Sequence, residues 1–378
     1  MNYAGQLNSN EIFGAIFNMI ISQEVFADNI KDTKSSLVDT ARVDGSLYGD
    51  TKLYYSTDVL KSTKWGNDAE ATNLLQLHRP DSPASQAITL DVFRQISLTV
   101  DDYMSKRAFS TEGAFSSFNS VMQNWIADTK RVYDSTTYNA FIGTVTTTKG
   151  KQSVVLSLPT DTNKETENRL QAQTIAQKLA DIIVDLEDVT RDYNDYGYLR
   201  SYSADDFMYV WNSAWVNKIT KLDLPTIFHK DFIDKFAEYT LPSRYFGKVL
   251  DKTTTTADGL TIRALEECDV KLVEAYTDKT GKAYKAGDSF HCFAGDIIPS
   301  KVVIANNTSI IVPAYKEDGN VIFKIVHKRS VPYMSAFEVA TSFFNAKSLT
   351  ENRYLTFGRN TLEYLYNYPL VTVEASAE

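Results

Sequence analysis

The sequence is poor in cysteine and histidine, with two cysteines and four histidines among 378 residues. Two cysteines do not make the disulfide framework of a small secreted domain, and neither Cys268 nor Cys292 lies in a Cys-x-x-Cys motif. His291 adjoins Cys292, but adjacent residues of a strand point to opposite faces, and a metal site would need further ligands. We therefore expect a reducing compartment, no cofactor and no metal site.

Dense basic segments and long apolar segments are also missing. The net charge is −9 and the basic clusters, such as KSTK and His327–Arg329, are short, so tight nucleic-acid recognition is not expected. No apolar run approaches the length of about 18 residues that a membrane helix needs. No Lys or Arg precedes Lys31, whereas a signal peptide begins with positive charge. The sequence thus predicts an intracellular protein with no membrane partner.

Catalytic motifs are absent as well, since the sequence contains no GxSxG, HExxH or GxGxxG. The stretch TDKTGK has the Gly-Lys of a phosphate loop, but it lacks the earlier glycine and has Ala283 where Ser or Thr is required. Acidic pairs occur at Asp101–Asp102, Asp205–Asp206 and Glu266–Glu267. Such pairs are common on solvated surfaces and at helix starts, and a divalent ion bound at one of them is the alternative. We expect no enzyme.

What the sequence does contain is a long alternating segment at residues 87–100, AITLDVFRQISLTV. Every even position from Ile88 to Val100 is apolar except Arg94, and the odd positions between them are polar except Phe93. This period of two predicts a strand with one dry face and one wet face, roughly 43 Å long. A compact domain of 378 residues has a radius of gyration of only about 21 Å. Together with the strand-like stretch Leu47–Leu60, the segment predicts a protruding two-stranded ribbon that must lie on another surface.

Helical periodicity is clear in four other places. An amphipathic helix is predicted over residues 8–30, and the strongest helix covers residues 111–142 with an aromatic stripe. A second long helix is predicted over residues 163–193 and a short one over residues 228–240. Residues 207–211, FMYVW, predict a short buried strand between these helices.

The texture of the sequence changes after residue 253. Residues 253–328 consist of short strand-like runs and turns, which predict a β-rich subdomain or insertion. Residues 353–375 are extended and rich in tyrosine, and they predict a closing strand. The fold class is therefore α+β.

The order of these elements resembles the phage major capsid proteins of the Hong Kong 97-like fold, in which an extended loop precedes a long spine helix. The segment SADDFMYVWNSAWVNKITKLDLPTIFHKDFIDKF, residues 203–236, resembles the passage of such proteins in which a short strand leads into the axial domain. Residues 331–375 resemble the return of the chain and its closing strand. The resemblance covers residues 45–250 and 330–375 and is closest to the capsid proteins of short-tailed podoviruses.

The resemblance implies a division of the chain into five parts. They are an N-terminal helix and arm (1–44), an extended loop in the form of a two-stranded β ribbon (45–107), a peripheral domain with a spine helix at 111–142 (108–211), an axial domain with the β-rich insertion 253–328 (212–330), and a return to the peripheral domain with the closing strand (331–378).

The function that the resemblance implies is structural. The chain would be a major capsid (head) subunit that self-assembles into an icosahedral shell around packaged double-stranded DNA. Its partners would be copies of itself, a separate scaffolding protein and a portal, with the DNA near it only by non-specific proximity. It would be located in the virion and assembled in the host cytoplasm. We identify neither a Lys/Asn pair for covalent crosslinking nor an immunoglobulin-like C-terminal module.

Two other classes of protein remain open at this point. A tail or connector component, or an encapsulin-like shell, would share the arm and the long helix. An enzyme with a β-rich substrate domain would instead need a deep pocket converging on carboxylates or on His291.

Under the capsid hypothesis, several side chains are candidates for contacts between subunits, and the dry face of the ribbon would rest on a neighbouring subunit. Arg94 interrupts that face, either as a surface charge that reaches water or as one half of an ion pair between subunits. The candidates are Ile12, Phe13, Phe17, Tyr55, Trp65, Phe93, Arg94, Phe228 and His229.

Overall fold

The computed structural model describes residues 37–45, 49–62, 77, 79–101, 112–220, 239–250, 261–272, 274–299 and 313–376. Its helices are α1 (Leu37–Thr40), α2 (Glu112–Thr144), α3 (Lys164–Glu187) and α4 (Ser213–Thr220). None of the helices in these ranges is long and apolar enough to cross a membrane.

The strands confirm the α+β class. In chain order they are β1 (Arg42–Asp44), β2 (Thr51–Ser56), β3 (Ala84–Asp101), β4 (Ser153–Leu156), β5 (Phe207–Asn212), β6 (Tyr239–Leu241), β7 (Gly247–Val249), β8 (Ile262–Ala264), β9 (Cys268–Lys271), β10 (Tyr276–Thr277), β11 (Ala283–Tyr284), β12 (Ser289–Cys292), β13 (Ala314–Glu317), β14 (Val321–His327), β15 (Tyr333–Asn345), β16 (Thr350–Asn360) and β17 (Leu370–Ala375).

The alternating segment is the long strand β3, but it is not half of an isolated ribbon. β2 pairs with its first six residues, from Ser56↔Ala84 to Thr51↔Thr89, as the predicted hairpin requires. Beyond this point β16 pairs with β3 as far as Thr350↔Asp101. The result is a five-stranded ribbon sheet in the order β1-β15-β16-β3-β2. A local pattern shows that a segment is extended, but it does not show which distant segment pairs with its edge.

The dry face of β3 is also covered differently from the prediction. Ile88 and Leu90 are buried in a cluster with Met334 of β15. Further along, Ile96 packs with Tyr133 of α2. The expectation that this face rests on a neighbouring subunit is therefore wrong for these residues, because other parts of the same chain cover them. Met334 and Leu365 pack on Ile88 and Leu90, and the long helix packs on Ile96.

A second five-stranded sheet, which we call the core sheet, has the order β4-β17-β14-β5-β6. On one face, Val210 packs in a cluster with Tyr138 and Ile142 of α2. On the other face, Tyr209 packs in a cluster with the apolar side of α3. β5 is buried at all its residues, because a strand between two helical layers has no wet face.

The two long helices lie close to their predicted ranges. α2 has 33 residues and a length of about 50 Å. α3 begins after Asn163, whose Oδ1 accepts a hydrogen bond of 3.0 Å from the backbone N–H of Glu165 and so caps the helix. It ends at Glu187, earlier than the predicted residue 193, because the chain turns back and Thr190 bridges to Arg200.

The other two predicted helices lie mostly outside the described residues. The helix predicted over residues 8–30 lies outside the described residues, as do residues 228–238 of the second. Tyr239–Leu241 form the strand β6 and not the end of a helix, because their backbone pairs with β5.

The β-rich region ends earlier than predicted. The insertion predicted over residues 253–328 includes β14, but β14 lies in the core sheet between β5 and β17. Its seven residues are all buried, which only a strand with neighbours on both edges and layers on both faces can achieve. The described part of the insertion contains β8 and β13, which form a small sheet with β7, and a hairpin, Cys268–Cys292, that we call the finger.

Lys324 lies in the middle of β14 with 0 % of its surface exposed, which is unusual for a lysine. Its Nζ donates a hydrogen bond of 2.7 Å to the carbonyl oxygen of Val145, the residue that follows α2. The ammonium thus lies at the negative end of the helix dipole. Burial nevertheless lowers the pKa of Lys324 to about 7, against a smaller opposing effect of Glu374.

We expect Lys324 to make the stability of the subunit depend on pH. Between about pH 7 and pH 10 the unfolded chain keeps the Lys324 proton and the folded chain does not, so stability rises with pH and the penalty is largest below pH 7. The slope is at most about 1.4 kcal/mol per pH unit. Urea titrations at pH 7, 8 and 9 should show this rise in the wild type and lose most of it in Lys324→Met.

Lys316→Met, on the exposed side of β13, is the matched control and should retain the wild-type rise. An equal slope in Lys324→Met and in the wild type would contradict the assignment.

Candidate assembly interface

The end of the β15–β16 hairpin carries several exposed apolar side chains close together in sequence. Residues 338–349, which we call the tip, are all exposed. Phe343 and Phe344 are exposed by 65 % and 49 %, and because adjacent strand residues point to opposite faces, one aromatic ring lies on each face. Leu349 adds a third apolar side chain at the turn.

The outer edge of β15 is open along the tip. β1 pairs with β15 only from Tyr333 to Ser335, and no other described strand pairs with that edge. A strand edge with unpaired backbone groups and apolar side chains is a template for another chain. The tip therefore offers both side-chain and backbone contacts to a partner.

A second exposed apolar surface lies on β2 and the segment after it. Leu53 and Tyr55 point away from the body, and the side chain of Tyr55 is 65 % exposed. The path of the chain is then fixed by Asp58, whose Oδ1 accepts a hydrogen bond of 3.0 Å from the backbone N–H of Leu199 and whose Oδ2 accepts one of 2.8 Å from Arg191. These bonds lower the pKa of Asp58 to about 2, and the bond from Arg191 has the largest effect.

A cluster of charged and aromatic side chains, which we call the latch, joins three parts of the chain. The guanidinium groups of Arg94 and Arg359 lie 5.4 and 5.6 Å from the centre of the Tyr133 ring on α2. Arg359 Nε donates a hydrogen bond of 2.8 Å to the hydroxyl of Tyr133, and its Nη2 lies 3.3 Å from Glu266 Oε1. Arg94 Nη1 lies 3.6 Å from Glu267 Oε1, and Nη2 bonds to the Glu267 carbonyl oxygen.

The latch changes the interpretation of the acidic pair Glu266–Glu267. Both carboxylates face arginines of the ribbon sheet, and Glu267 Oε1 also lies 3.3 Å from His291 Nε2. Within the described residues, no group of three or more His, Cys, Asp or Glu side chains could hold a metal ion. The pair therefore holds the insertion against the ribbon sheet and α2.

Directly after Tyr133 of the latch, Asp134 is a buried carboxylate with three donors. Its side chain is 1 % exposed, and Oδ1 accepts a hydrogen bond of 2.6 Å from the hydroxyl of Tyr333. Oδ2 accepts bonds of 3.3 Å from both Arg42 and Lys130. Burial, and then the charge of Asp134, raises the pKa of Tyr333, so the phenol remains a donor. Asp134 thus ties α2 to β1 and β15.

We expect the Arg94–Glu267 pair to stabilise the isolated subunit. Its side chains form an ion pair at 3.6 Å and are partly exposed, so the expected coupling is about 0.5–1 kcal/mol. The coupling should appear in a double-mutant cycle of Arg94→Ala and Glu267→Ala, measured by urea unfolding of unassembled subunits. Additive losses in the two single variants would mean that the pair contributes nothing.

Comparison with known proteins decides the family. A family model described as Phi29-like phage major capsid protein matches residues 4–360. The chain belongs to this family. A comparison with curated proteins gives no match.

Solved structures show that the fold of this capsid protein is shared with other phage shells. A chain from the capsid structure of Staphylococcus phage Andhra is similar with a TM-score of 0.62 at 10 % identity, over 94 % of this chain and 87 % of that one. A chain from the structure of the head fiber and inner core protein gp22 of native bacteriophage P68 gives a TM-score of 0.61 at 10 % identity, over 93 % and 87 %. The predicted resemblance to phage major capsid proteins is therefore confirmed, and the protein is a major capsid subunit that forms the shell.

The predicted contact residues of this capsid protein are placed as follows. Tyr55 is exposed, whereas the ring of Phe93 lies over Gly358, where a Cβ atom would come within 2.8 Å of it. The charge of Arg94 is paired inside its own chain. The role of all three between subunits stays a prediction. Six candidates lie outside the described residues: Ile12, Phe13, Phe17, Trp65, Phe228 and His229.

Sequence reasoning missed the tip of this capsid subunit, although a signal was present. The adjacent pair Phe343–Phe344 lies in an extended segment. Two neighbouring apolar residues of a strand cannot both face the same core, so one of them needs a second covering surface. The latch and the Asp134 cluster gave no comparable local signal, because their members come from segments far apart in sequence.

Proposed function

We propose that the tip and the exposed face of β2 are the surfaces by which this capsid subunit binds its neighbours in an icosahedral shell. The observation that supports this most directly is the exposure of Phe343 and Phe344 on opposite faces of one strand. Burying one such ring contributes about 1.5–3 kcal/mol. Contacts of this size, repeated on every subunit, combine multiplicatively in a closed shell.

The same proposal assigns roles to the parts of the chain. Residues 45–107 form the extended loop, and residues 108–211 and 331–378 form the peripheral domain with α2 as its spine helix. Residues 212–330, except β6 and β14 in the core sheet, contribute to the axial domain around the shell's symmetry centres. The N-terminal arm, residues 1–44, contacts further neighbours. Tyr55, Phe93 and Arg94, together with the six candidates outside the described residues, remain candidate contacts between subunits.

The shell encloses packaged double-stranded DNA without binding it specifically. The net charge of −9 supports this, because an acidic lining repels the DNA backbone at long range. A separate scaffolding protein and a portal take part in assembly in the host cytoplasm, and the finished subunit resides in the virion. The chain has no catalytic role, in keeping with a family whose members are structural.

Expression of the full chain, alone and with its scaffolding protein, tests the proposal. Negative-stain electron microscopy should show closed shells of uniform diameter. A chain that stays monomeric at all concentrations with its scaffold present would overturn it. Open tubes or rings in place of closed shells would point to a different mode of assembly.

A further inference from the structure

The only two cysteines of the 378-residue sequence are brought together by the fold. Cys268 on β9 and Cys292 on β12 are direct partners in the antiparallel register that forms the base of the finger. Both are free thiols in this structure. They are separated by 23 residues in sequence, and nothing in the sequence alone predicted that they would meet.

The register gives the two cysteines the backbone spacing that a disulfide requires. Directly opposed residues of an antiparallel pair have Cα atoms about 4.5–5.5 Å apart and side chains on the same face. A disulfide requires Cα atoms about 4.4–6.8 Å apart. The pair is also the last of the β9–β12 register, so the strands can adjust on one side without disturbing a continuing ladder.

We propose that Cys268 and Cys292 are a modification site, at which a reversible intrachain disulfide closes the base of the finger. The oxidant is a small-molecule disulfide such as oxidised glutathione. The thiolate of one cysteine attacks a glutathione sulfur and releases one glutathione thiolate, which takes up a proton. The second cysteine then attacks the mixed disulfide, forms the intrachain bond and releases the second glutathione. Two protein thiols are oxidised and one glutathione disulfide is reduced to two thiols.

The two sulfurs differ in their access to the oxidant. Cys292 is buried and Cys268 is partly exposed, so Cys268 is the group that the oxidant reaches first. Burial raises the pKa of Cys268 to about 11 and that of Cys292 to about 12. Because the thiolate is the nucleophile, closure is slow at neutral pH and accelerates as the pH rises.

The bond would fix the finger beside the latch. Glu267 immediately precedes Cys268 and faces Arg94, so a covalent link at Cys268 holds the outer strands β10 and β11 to a point already tied to the ribbon sheet. If the subunit is assembled in a reducing cytoplasm, as proposed above, the finger stays open during assembly and closes after release into an oxidising medium. This consequence rests on the proposed site of assembly, whereas the closure itself does not.

The test uses the unassembled full-length chain, so that a failure of shell formation does not affect it. The folded chain is incubated with oxidised glutathione at pH 7, 8 and 9, quenched in acid and analysed for free thiols and mass. We expect free thiols to fall from two to zero per chain, with the loss of two hydrogens and a crosslinked 268–292 peptide that reductant releases. The rate should rise about tenfold per pH unit.

Three variants serve as controls. Cys268→Ser and Cys292→Ser should each keep one thiol or acquire one glutathione, without a crosslink. Cys268→Ser combined with Asp269→Cys moves the thiol to the opposite face of β9 and should also fail to close. Persistence of both thiols at pH 9, stable glutathione adducts on the wild type, or crosslinks only between chains would each overturn the proposal.

Discussion

Replacing Phe343 and Phe344 together with serine should abolish shell formation while leaving the folded subunit intact. Both rings are largely exposed in the isolated chain, so their removal creates no cavity, and we expect the free energy of unfolding to change by less than about 1 kcal/mol. In a shell each ring would be buried against a neighbour and contribute about 1.5–3 kcal/mol. The two losses together weaken one contact by roughly a hundredfold or more, and a closed shell repeats that contact on every subunit.

The measurement is the yield of closed particles by sedimentation and electron microscopy, beside urea unfolding of the unassembled chain. The matched control is Phe343→Leu with Phe344→Leu, which keeps most of the apolar surface and should still assemble. Leu349→Gly distinguishes the contribution of the apolar side chain to assembly from that of the backbone conformation at the same turn. Leu349 has a positive φ of 52°, so glycine relieves backbone strain there while it removes an apolar contact. Normal particle yield from the double serine variant would exclude the tip as an interface.

Asp134→Ala should destabilise the subunit itself by about 2–4 kcal/mol. The substitution removes the acceptor of the buried Tyr333 hydroxyl, and it removes one of the two acidic partners of Arg42 and of Lys130. A buried donor without a partner retains the full cost of its desolvation. Because a domain is typically stable by only about 5–15 kcal/mol, this one change should shift the unfolding midpoint strongly and reduce the amount of folded subunit.

Two variants identify the origin of that loss. Tyr333→Phe removes one donor and should cost less than Asp134→Ala, because the carboxylate keeps its two cationic partners. Asp128→Ala makes the same chemical change elsewhere on α2 and should cost less than about 0.5–1 kcal/mol, since it is only partly buried. If Asp134→Ala and Asp128→Ala are equally stable, the cluster does not hold α2 against the ribbon sheet.

The features that sequence reasoning recovered are those with a local physical cause. The alternation from Ile88 to Val100 reflects a sheet with one face on a core, and it correctly located β3. The aromatic stripe at helical spacing located α2, and the continuous apolar run at 207–211 located β5. Each of these signals depends on neighbours within one element, so it can be recognised without knowledge of the tertiary fold.

The candidate contact residues were harder to predict. Arg94 was recognised as the one break in a dry face, but its partner Glu267 is 173 residues away and in another part of the fold. Glu266 and Glu267 looked like a solvated acidic pair because the arginines that face them, Arg94 and Arg359, belong to strands far away in sequence. An ion pair has no periodicity, so nothing in either segment marks the other.

The sequence by itself determined the α+β class, the positions of the long strand and the two long helices, and the resemblance to phage capsid proteins. Only the tertiary structure decided that β16 occupies the edge of β3, that other parts of the same chain, α2 among them, cover the dry face of β3, and that Cys268 faces Cys292. The physical reason is that the period of apolar residues specifies which face of an element is dry, whereas the identity of the covering surface depends on complementarity between distant segments. For the same reason, the exposure of Phe343 and Phe344 can be recognised only when the tertiary structure shows which residues form the core.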